Sequence, residues 1–190
     1  KPVDSTGVMA TDDDARAYNA FTPFQKVNHY KAVLNNSFVI GNGNLKAILG
    51  FQQNQRQEYA DALNPGNYGL CFLLNTINYD VRYIFPTKNN LQFSFGTNGM
   101  RQSAKNKGME FLVPEYDLFD IGGFLTAKRS FNKLDVSGGV RYDVRTQNGK
   151  VLWLDSLGSV RYTPDASSVQ RFKDFNSVFS GVSGSLGATY

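Results

Sequence analysis

The stretch Asn75-Thr76-Ile77-Asn78-Tyr79-Asp80-Val81-Arg82-Tyr83-Ile84-Phe85 decides the fold class. Ile77, Tyr79, Val81, Tyr83 and Phe85 alternate with Asn78, Asp80, Arg82 and Ile84. In an extended chain, that period of two makes one face aliphatic and aromatic and leaves the other mostly charged or amide. From residue 24 to residue 190 the same unit recurs: a long alternating stretch, a tight turn of Gly, Asn, Pro or Ser, another long stretch, then a longer polar loop. This is the rhythm of an antiparallel up-and-down β-barrel.

Length separates a membrane barrel from an ordinary sheet. Strands of globular sheets run about 5 to 6 residues, whereas these alternations persist for roughly 12 to 16. A tilted strand needs about 9 to 11 residues to cross the hydrocarbon layer, and outer-membrane strands often extend beyond it. The lengths therefore predict a transmembrane barrel. A mean hydropathy of -0.36 does not oppose this, because each strand carries one polar face that averages the signal away. No stretch approaches the 18 continuous apolar residues of a helical span, and the opening KPVDSTGVMATDDD lacks the basic region and apolar core of a signal peptide.

A net charge of +4 comes from 20 Lys and Arg interspersed with 16 Asp and Glu, which is no footprint for nucleic acid. The single cysteine, Cys71, allows neither an internal disulfide nor a thiolate metal cluster and reads as a small packing residue.

Alternation places seven strands at about 25–40, 45–59, 71–85, 91–103, 117–129, 134–145 and 175–189. Short turns fall at Gly41-Asn42-Gly43-Asn44, at Pro86-Thr87-Lys88-Asn89-Asn90 and at Ser130-Phe131-Asn132-Lys133, where Gly and Asn tolerate the backbone that tight hairpins require. Longer loops fall at about 60–70, 104–116 and 146–174. Outer-membrane barrels have this asymmetry, with short periplasmic turns and long external loops.

Parity assigns the faces. Tyr30, Ala32, Leu34, Phe38 and Ile40, then Leu45, Ala47, Leu49 and Phe51, then Leu91, Phe93 and Phe95, and finally Leu134, Val136, Val140, Tyr142 and Val144 are expected to face lipid. His29, Lys31, Lys46, Gln52, Asn54, Arg56, Asp80, Arg82, Asp135, Arg141, Asp143 and Arg145 are expected to face the lumen, because a charge toward lipid near the bilayer centre costs about 2 to 4 kcal/mol. In the stretches 117–129 and 175–189, Gly and Ser on both sides blur the assignment. Bacterial barrels use even strand counts and lipid does not tolerate bare sheet edges, so seven strands are expected to be a piece of a larger barrel. Residues 1–23 form a leading segment, in which Thr11 to Tyr18 reads as a capped short helix or loop, and residues 24–190 form the barrel portion.

Pro23-Phe24-Gln25-Lys26-Val27-Asn28-His29-Tyr30-Lys31-Ala32-Val33-Leu34, Leu45-Lys46-Ala47-Ile48-Leu49-Gly50-Phe51-Gln52 and Tyr79-Asp80-Val81-Arg82-Tyr83 resemble barrel strands of a TonB-dependent outer-membrane receptor. So do Val113-Pro114-Glu115-Tyr116-Asp117-Leu118-Phe119-Asp120-Ile121-Gly122-Gly123-Phe124 and Lys133-Leu134-Asp135-Val136-Ser137-Gly138-Gly139-Val140-Arg141-Tyr142-Asp143. The resemblance covers about residues 22–190. It implies a barrel of about 22 strands in the bacterial outer membrane, closed around an N-terminal plug domain that this chain does not include. It also implies an energy-transducing TonB complex in the inner membrane and a scarce small nutrient as ligand: a siderophore, haem, a vitamin or a glycan. This portion is then a structural wall, with no catalytic residue, no metal and no cofactor of its own.

The residues that carry chemistry fit that role. His29, the only histidine, lies mid-strand on the polar parity and reads as a hydrogen-bonding lumen residue rather than a catalytic base. Asp12-Asp13-Asp14 lacks the alternating ligands and turn glycine of a calcium loop, and Asn35-Asn36-Ser37 is a glycosylation sequon placed inside a strand. Asp80 with Arg82, and Arg141 with Asp143, are expected to satisfy one another across strands, with contact to the plug as their functional alternative. Trp153, Arg161, Tyr162 and Arg171 occupy the longest loop, where aromatic and cationic groups can catch a ligand. Two other classes remain: a soluble β-sheet module hiding its aromatic face in a core or using it to bind carbohydrate or a partner, and a barrel-embedded hydrolase. The second is disfavoured by the lone His and the missing Ser nucleophile elbow.

Overall fold

The computed structural model describes residues 11–13, 16, 18 and 22–190. The segment read as a capped helix or loop, Thr11 to Tyr18, lies partly outside them, as does Asp14 of the acidic run. Among the described residues the chain is all-β, without a helix. Seven long strands form one antiparallel sheet: β1 (Phe24–Ile40), β2 (Gly43–Tyr59), β3 (Leu70–Ile84), β4 (Leu91–Asn106), β5 (Tyr116–Phe131), β6 (Leu134–Gly149) and β10 (Phe175–Thr189). Each pairs with its neighbour in chain order, so the sheet is an up-and-down meander that is not closed, with β1 and β10 at its edges. Three short strands lie between β6 and β10: β7 (Leu152–Leu154), β8 (Val160–Arg161) and β9 (Val169–Phe172), in a small sheet of order β8-β7-β9. The sequence assigned 146–174 to loop, and strands of two to four residues show no alternation by which to find them.

The turns follow from their residues. Gly41 takes φ +59° at the first central position of the two-residue loop that joins Ile40 to its partner Gly43, the requirement of a type II′ hairpin. Asn89 and Asn90, at φ 51° and 59°, make a type I′ turn closed by reciprocal backbone hydrogen bonds between Lys88 and Leu91. Asn132, at φ 52°, turns the chain between Phe131 and its partner Leu134.

No register shift interrupts the six ladders of the large sheet, so the two faces can be traced from strand to strand. Leu34, Leu49, Tyr79, Gly99, Ile121, Val144 and Ser180 form one cross-strand row. Phe38, Leu45, Tyr83, Phe95, Leu125, Val140 and Gly184 form another row on the same face. Register also resolves the two blurred strands. Phe119, Ile121 and Leu125 of β5, with Val178, Val182 and Leu186 of β10, join the apolar face, while Asp120, Phe124, Ser183 and Ser185 join the polar one.

The apolar face is not uniform along its length. From the Ala32 row to the Ile40 row it is mainly aliphatic and aromatic, interrupted by Asn36 on the edge strand and by Arg101 at its upper limit. One step beyond Arg101 lies a polar row of Gln53, Asn75, Ser103, Asp117, Asn148 and Asn176, in which Gln53 Nε2 donates to Asn75 Oδ1 at 2.8 Å. At the short-turn end Tyr83, Phe85 and Phe95 cluster with ring centroids 4.9–6.0 Å apart.

Nothing among the described residues covers this face. Among the described residues Leu70, Cys71 and Leu118 are the only hydrophobic ones that are buried, whereas Leu34, Leu49, Tyr142 and Val182 are 59, 52, 53 and 79 % exposed. A soluble domain of this length would bury most of its large apolar side chains in a core. Packing on the sheet is lateral instead. The Tyr83 ring lies over Gly43 and its hydroxyl donates to Ile40 O at 3.0 Å. Tyr79 lies over Gly99 and donates to Asp120 O at 3.3 Å.

This arrangement makes glycines on one face unequal. A Cβ on Gly99 would collide with Asp120 O and the Tyr79 hydroxyl, whereas one on Gly123, on the same face, meets nothing within 4 Å. Gly99→Val is expected to lower stability by about 1–3 kcal/mol through overpacking. Gly123→Val should stay within about 0.5 kcal/mol of the parent protein in a denaturant titration.

Candidate functional site

The polar face is organised around two arginines and a phenylalanine. Ser37, Lys46, Arg82, Gly96, Phe124, Arg141 and Ser183 share one cross-strand row. Gly96 leaves the space that the Phe124 ring fills, and the Arg82 and Arg141 guanidinium carbons stand 5.0 and 6.0 Å from that ring's centroid. Gly122 likewise leaves room for the Arg141 and Asp143 side chains. The result is a concavity of about 300 Å³ lined by Arg82, Asn98, Phe124, Thr126, Arg141 and Ser183.

Arg82 and Arg141 find their carboxylates along their own strands, not across them as the sequence reading expected. Arg141 Nε donates to both Asp143 carboxylate oxygens, at 2.8 and 2.7 Å, two residues away on β6. Arg82 Nη2 stands 3.7 Å from Asp80 Oδ2 on β3, and that oxygen also accepts from Asn98 Nδ2 at 3.1 Å. The cause lies in the register. Opposite Arg82 stand Lys46 and Gly96, and opposite Arg141 stand Phe124 and Ser183. No carboxylate faces either arginine, so the one a step along the same strand is taken. Arg82 Nε is buried without a hydrogen-bond partner.

A cross-strand pair does form one step further up. Arg145 Nη2 donates to Asp120 Oδ2 at 2.6 Å, and Asp120 Oδ1 accepts the Met100 backbone N–H at 2.7 Å. Sequence reasoning placed Arg145 on this face and passed over Asp120, which lies in a strand where glycines blur the parity. His29 stands on edge strand β1 with its Nδ1 3.2 Å from Asn54 Nδ2, its cross-strand partner. Cys71 is 1 % exposed, its sulfur 3.9 Å from Gln55 Nε2. No set of three or more His, Cys, Asp or Glu side chains is arranged to hold a metal ion among the described residues.

The second site lies at the long-loop end. The β8-β7-β9 sheet and the segment before β5 enclose a cleft of about 560 Å³, lined among others by Phe111, Glu115, Trp153, Arg161, Tyr162 and Asp174. Three of the four loop residues singled out in the sequence, Trp153, Arg161 and Tyr162, converge here. Arg171 does not line the cleft, because it donates from Nε and Nη2 to Phe111 O at 3.4 and 3.3 Å and ties β9 to the loop that precedes β5. Most charges around the cleft are compensated, Lys105 with Glu115 at 3.2 Å, Lys150 with Asp117 at 3.3 Å and Arg161 with Asp155 at 3.5 Å, and Asp174 alone of the lining carboxylates has no ion pair among the described residues. Glu115 Oε1 also accepts the Asn106 N–H at 3.0 Å. An indole beside compensated charges suits a ligand with an apolar or aromatic surface and little net charge better than a strong anion.

Compared with known proteins, the chain matches no family model, no curated protein and no solved structure.

Asp120→Ala is expected to cost about 1–2 kcal/mol, because it strips a partner from a part-buried backbone N–H, and to destabilise the protein more than Asp143→Ala. In the loop, the Ser167 hydroxyl and N–H, with the Ser168 hydroxyl, hold the Asp165 carboxyl below its ordinary value of 3.8. A lowered folded-state value means the turn is favoured while the carboxylate is charged and loses that support as pH falls through the lowered value. Protection of the 165–168 amides, taken relative to their intrinsic exchange rate at each pH, is therefore expected to stay constant from neutral pH down to about 4 and to fall in stronger acid, with Asp165→Asn abolishing the change.

Proposed function

We propose that the seven-stranded sheet is a sector of a transmembrane β-barrel of the TonB-dependent receptor type in a bacterial outer membrane. Its apolar face meets lipid and its polar face lines the lumen. The observation that carries this reading is the bounded apolar band on a face that no described residue covers. Ala32 and Ile40 bracket the band eight residues apart, about 26 Å along a strand and roughly 20 Å in height once tilted by about 40°, close to the ~25 Å band of such barrels. The polar row of Gln53, Asn75 and Asn148 above it and the aromatic cluster of Tyr83, Phe85 and Phe95 at its other end suit the two edges of a bilayer. The receptor class, among outer-membrane barrels, is supported by the sequence resemblance of the strand motifs.

In this role the chain is wall and external loop. The Arg82–Phe124–Arg141 concavity faces whatever fills the lumen, and the Trp153 cleft lies on the outer side, where a scarce small nutrient is first met. Energy for its passage comes from the inner-membrane complex acting on the domain inside the barrel, so the residues described here bind and seal without performing chemistry. Further strands closing on β1 and β10 complete the wall.

Light scattering of the purified chain with and without detergent tests the reading. A monodisperse species only in detergent is expected; a stable monomer in plain buffer would overturn the proposal and favour a soluble module that hides its aromatic face. Leu49 and Ile48 provide the second test, because adjacent residues point to opposite faces. Leu49→Arg is expected to impair partitioning into vesicles by about 2–4 kcal/mol, while Ile48→Arg leaves it nearly unchanged. Equal effects of the two would sink the assignment of faces.

A further inference from the structure

The apolar face carries a cation where the band ends. Arg101 lies in the same cross-strand row as Ile77 and Phe119, is exposed, and makes no ion pair among the described residues. Four residues along β4 on the same face is Lys105, and Lys150 reaches this face through its pair with Asp117. Lys26, near the long-loop end of β1 and on the same parity as Tyr30, is also exposed without an ion pair. Near these four cations the carboxylates Glu115 and Asp117 are already held by Lys105 and Lys150, and in the adjoining loop Lys107 and Glu110, the latter beside Gly69, are both exposed without an ion pair among the described residues. An unpaired guanidinium beside Ile77 and Phe119 is costly toward hydrocarbon and favourable one step higher, among anions.

We propose that this long-loop rim of the apolar face is a binding surface for phosphate-bearing anionic lipid headgroups, with Arg101 as its central contact. The inference rests on the membrane reading above and adds a partner to it. The geometry favours lipid over a protein partner because the cations sit where an apolar band gives way to an amide row. That is the level at which a headgroup stands when its acyl chains cover Phe119 and Ile77. Arg101, at the lower limit of the amide row, reaches up to phosphate oxygens along its own stem. Gln53, Asn75 and Asn148 supply neutral hydrogen-bond donors at the same level.

Co-flotation with vesicles of phosphatidylcholine, with and without phosphatidylglycerol, tests this. Two variants remove two positive charges each from exposed residues without ion pairs, on opposite faces: Lys26→Gln with Arg101→Gln on the rim, and Lys31→Gln with Lys46→Gln on the polar face. The parent protein is expected to float with both vesicle types and more strongly with the anionic one. The rim variant should lose about fivefold of the anionic enhancement per charge removed while keeping its binding to phosphatidylcholine, and the polar-face variant should keep both. Equal loss in the two variants would overturn the proposal in favour of net charge alone. Loss confined to the polar-face variant would move the anion site to the lumen side. An enhancement untouched by either variant would overturn it as well, leaving the membrane reading intact. Failure of the parent to float with any vesicle would sink the membrane reading itself.

Discussion

Everything in this sheet depends on one register held through six ladders. Side chains alternate with a period of two, so a slip of one residue in any pairing would carry every residue beyond it to the wrong face. A slip of β3 against β2 would bring Asp80 and Arg82 into line with Leu45, Ala47 and Leu49. Under the membrane reading, each such charge costs about 2–4 kcal/mol. Local devices oppose the slip. Two-residue turns at Gly41-Asn42 and Asn132-Lys133 leave no slack between β1 and β2 or between β5 and β6. Tyr79 and Tyr83 each fit over one glycine of a neighbouring strand and donate to one carbonyl, which a shifted register would move away. Amide pairs such as Gln52 with Asn78 and Gln53 with Asn75 add directional contacts on both faces.

The same periodicity explains what could be read from the sequence. Strands β1 to β4 and β6 alternate large apolar with charged or amide residues, so their faces were legible and their extents to within about four residues, β4 running on to Asn106 and β6 to Gly149. β5 and β10 were found as strands, but Gly122, Gly123, Ser180, Gly181 and Ser183 carry too little side chain to declare a face, and only pairing with β4 and β6 assigns one. Asp120 was missed for that reason. Arg101 was missed for another: its parity marks it as apolar-facing, and its meaning comes from its height on the strand, which alternation does not encode. The convergence of Trp153, Arg161 and Tyr162 with Phe111 needed β7, β8 and β9, strands too short to leave a period.

The ion pairs show how register also governs electrostatics. On a sheet face, the nearest neighbours are directly opposite at about 4.5–5.5 Å, and residues two apart on one strand are further away. Arg82 and Arg141 nonetheless take their partners along the strand, because Lys46, Arg82 and Arg141 stand in one row and Asp80 and Asp143 in the next. A cationic row beside an anionic one lets long guanidinium arms reach two residues along their own strand and leaves donors over. Arg82 keeps an unused Nε beside Phe124. Half-exposed pairs of this kind contribute little to stability in water, about 0–1 kcal/mol each. Their value under the barrel reading is a wetted wall whose charges are balanced yet still able to contact what fills the lumen.

The two edges of the sheet impose a further constraint. β1 spans 17 residues and β10 spans 15, and each has a neighbour on one side only. About half the backbone N–H and C=O groups along each edge strand therefore point away from the sheet. In water these groups are hydrated, and the cost of an open edge is chiefly a tendency to pair with other chains. In hydrocarbon each unsatisfied group costs several kcal/mol, and many such groups along two edges far exceed any net stability that a domain possesses. Under the membrane reading, an apolar band turned to lipid and edges that lipid forbids cannot coexist in a free-standing sheet. Closure resolves the conflict, because it satisfies both edges and keeps the band outward. The exposed Val178, Val182 and Leu186 of β10 continue that band to the edge of the sheet.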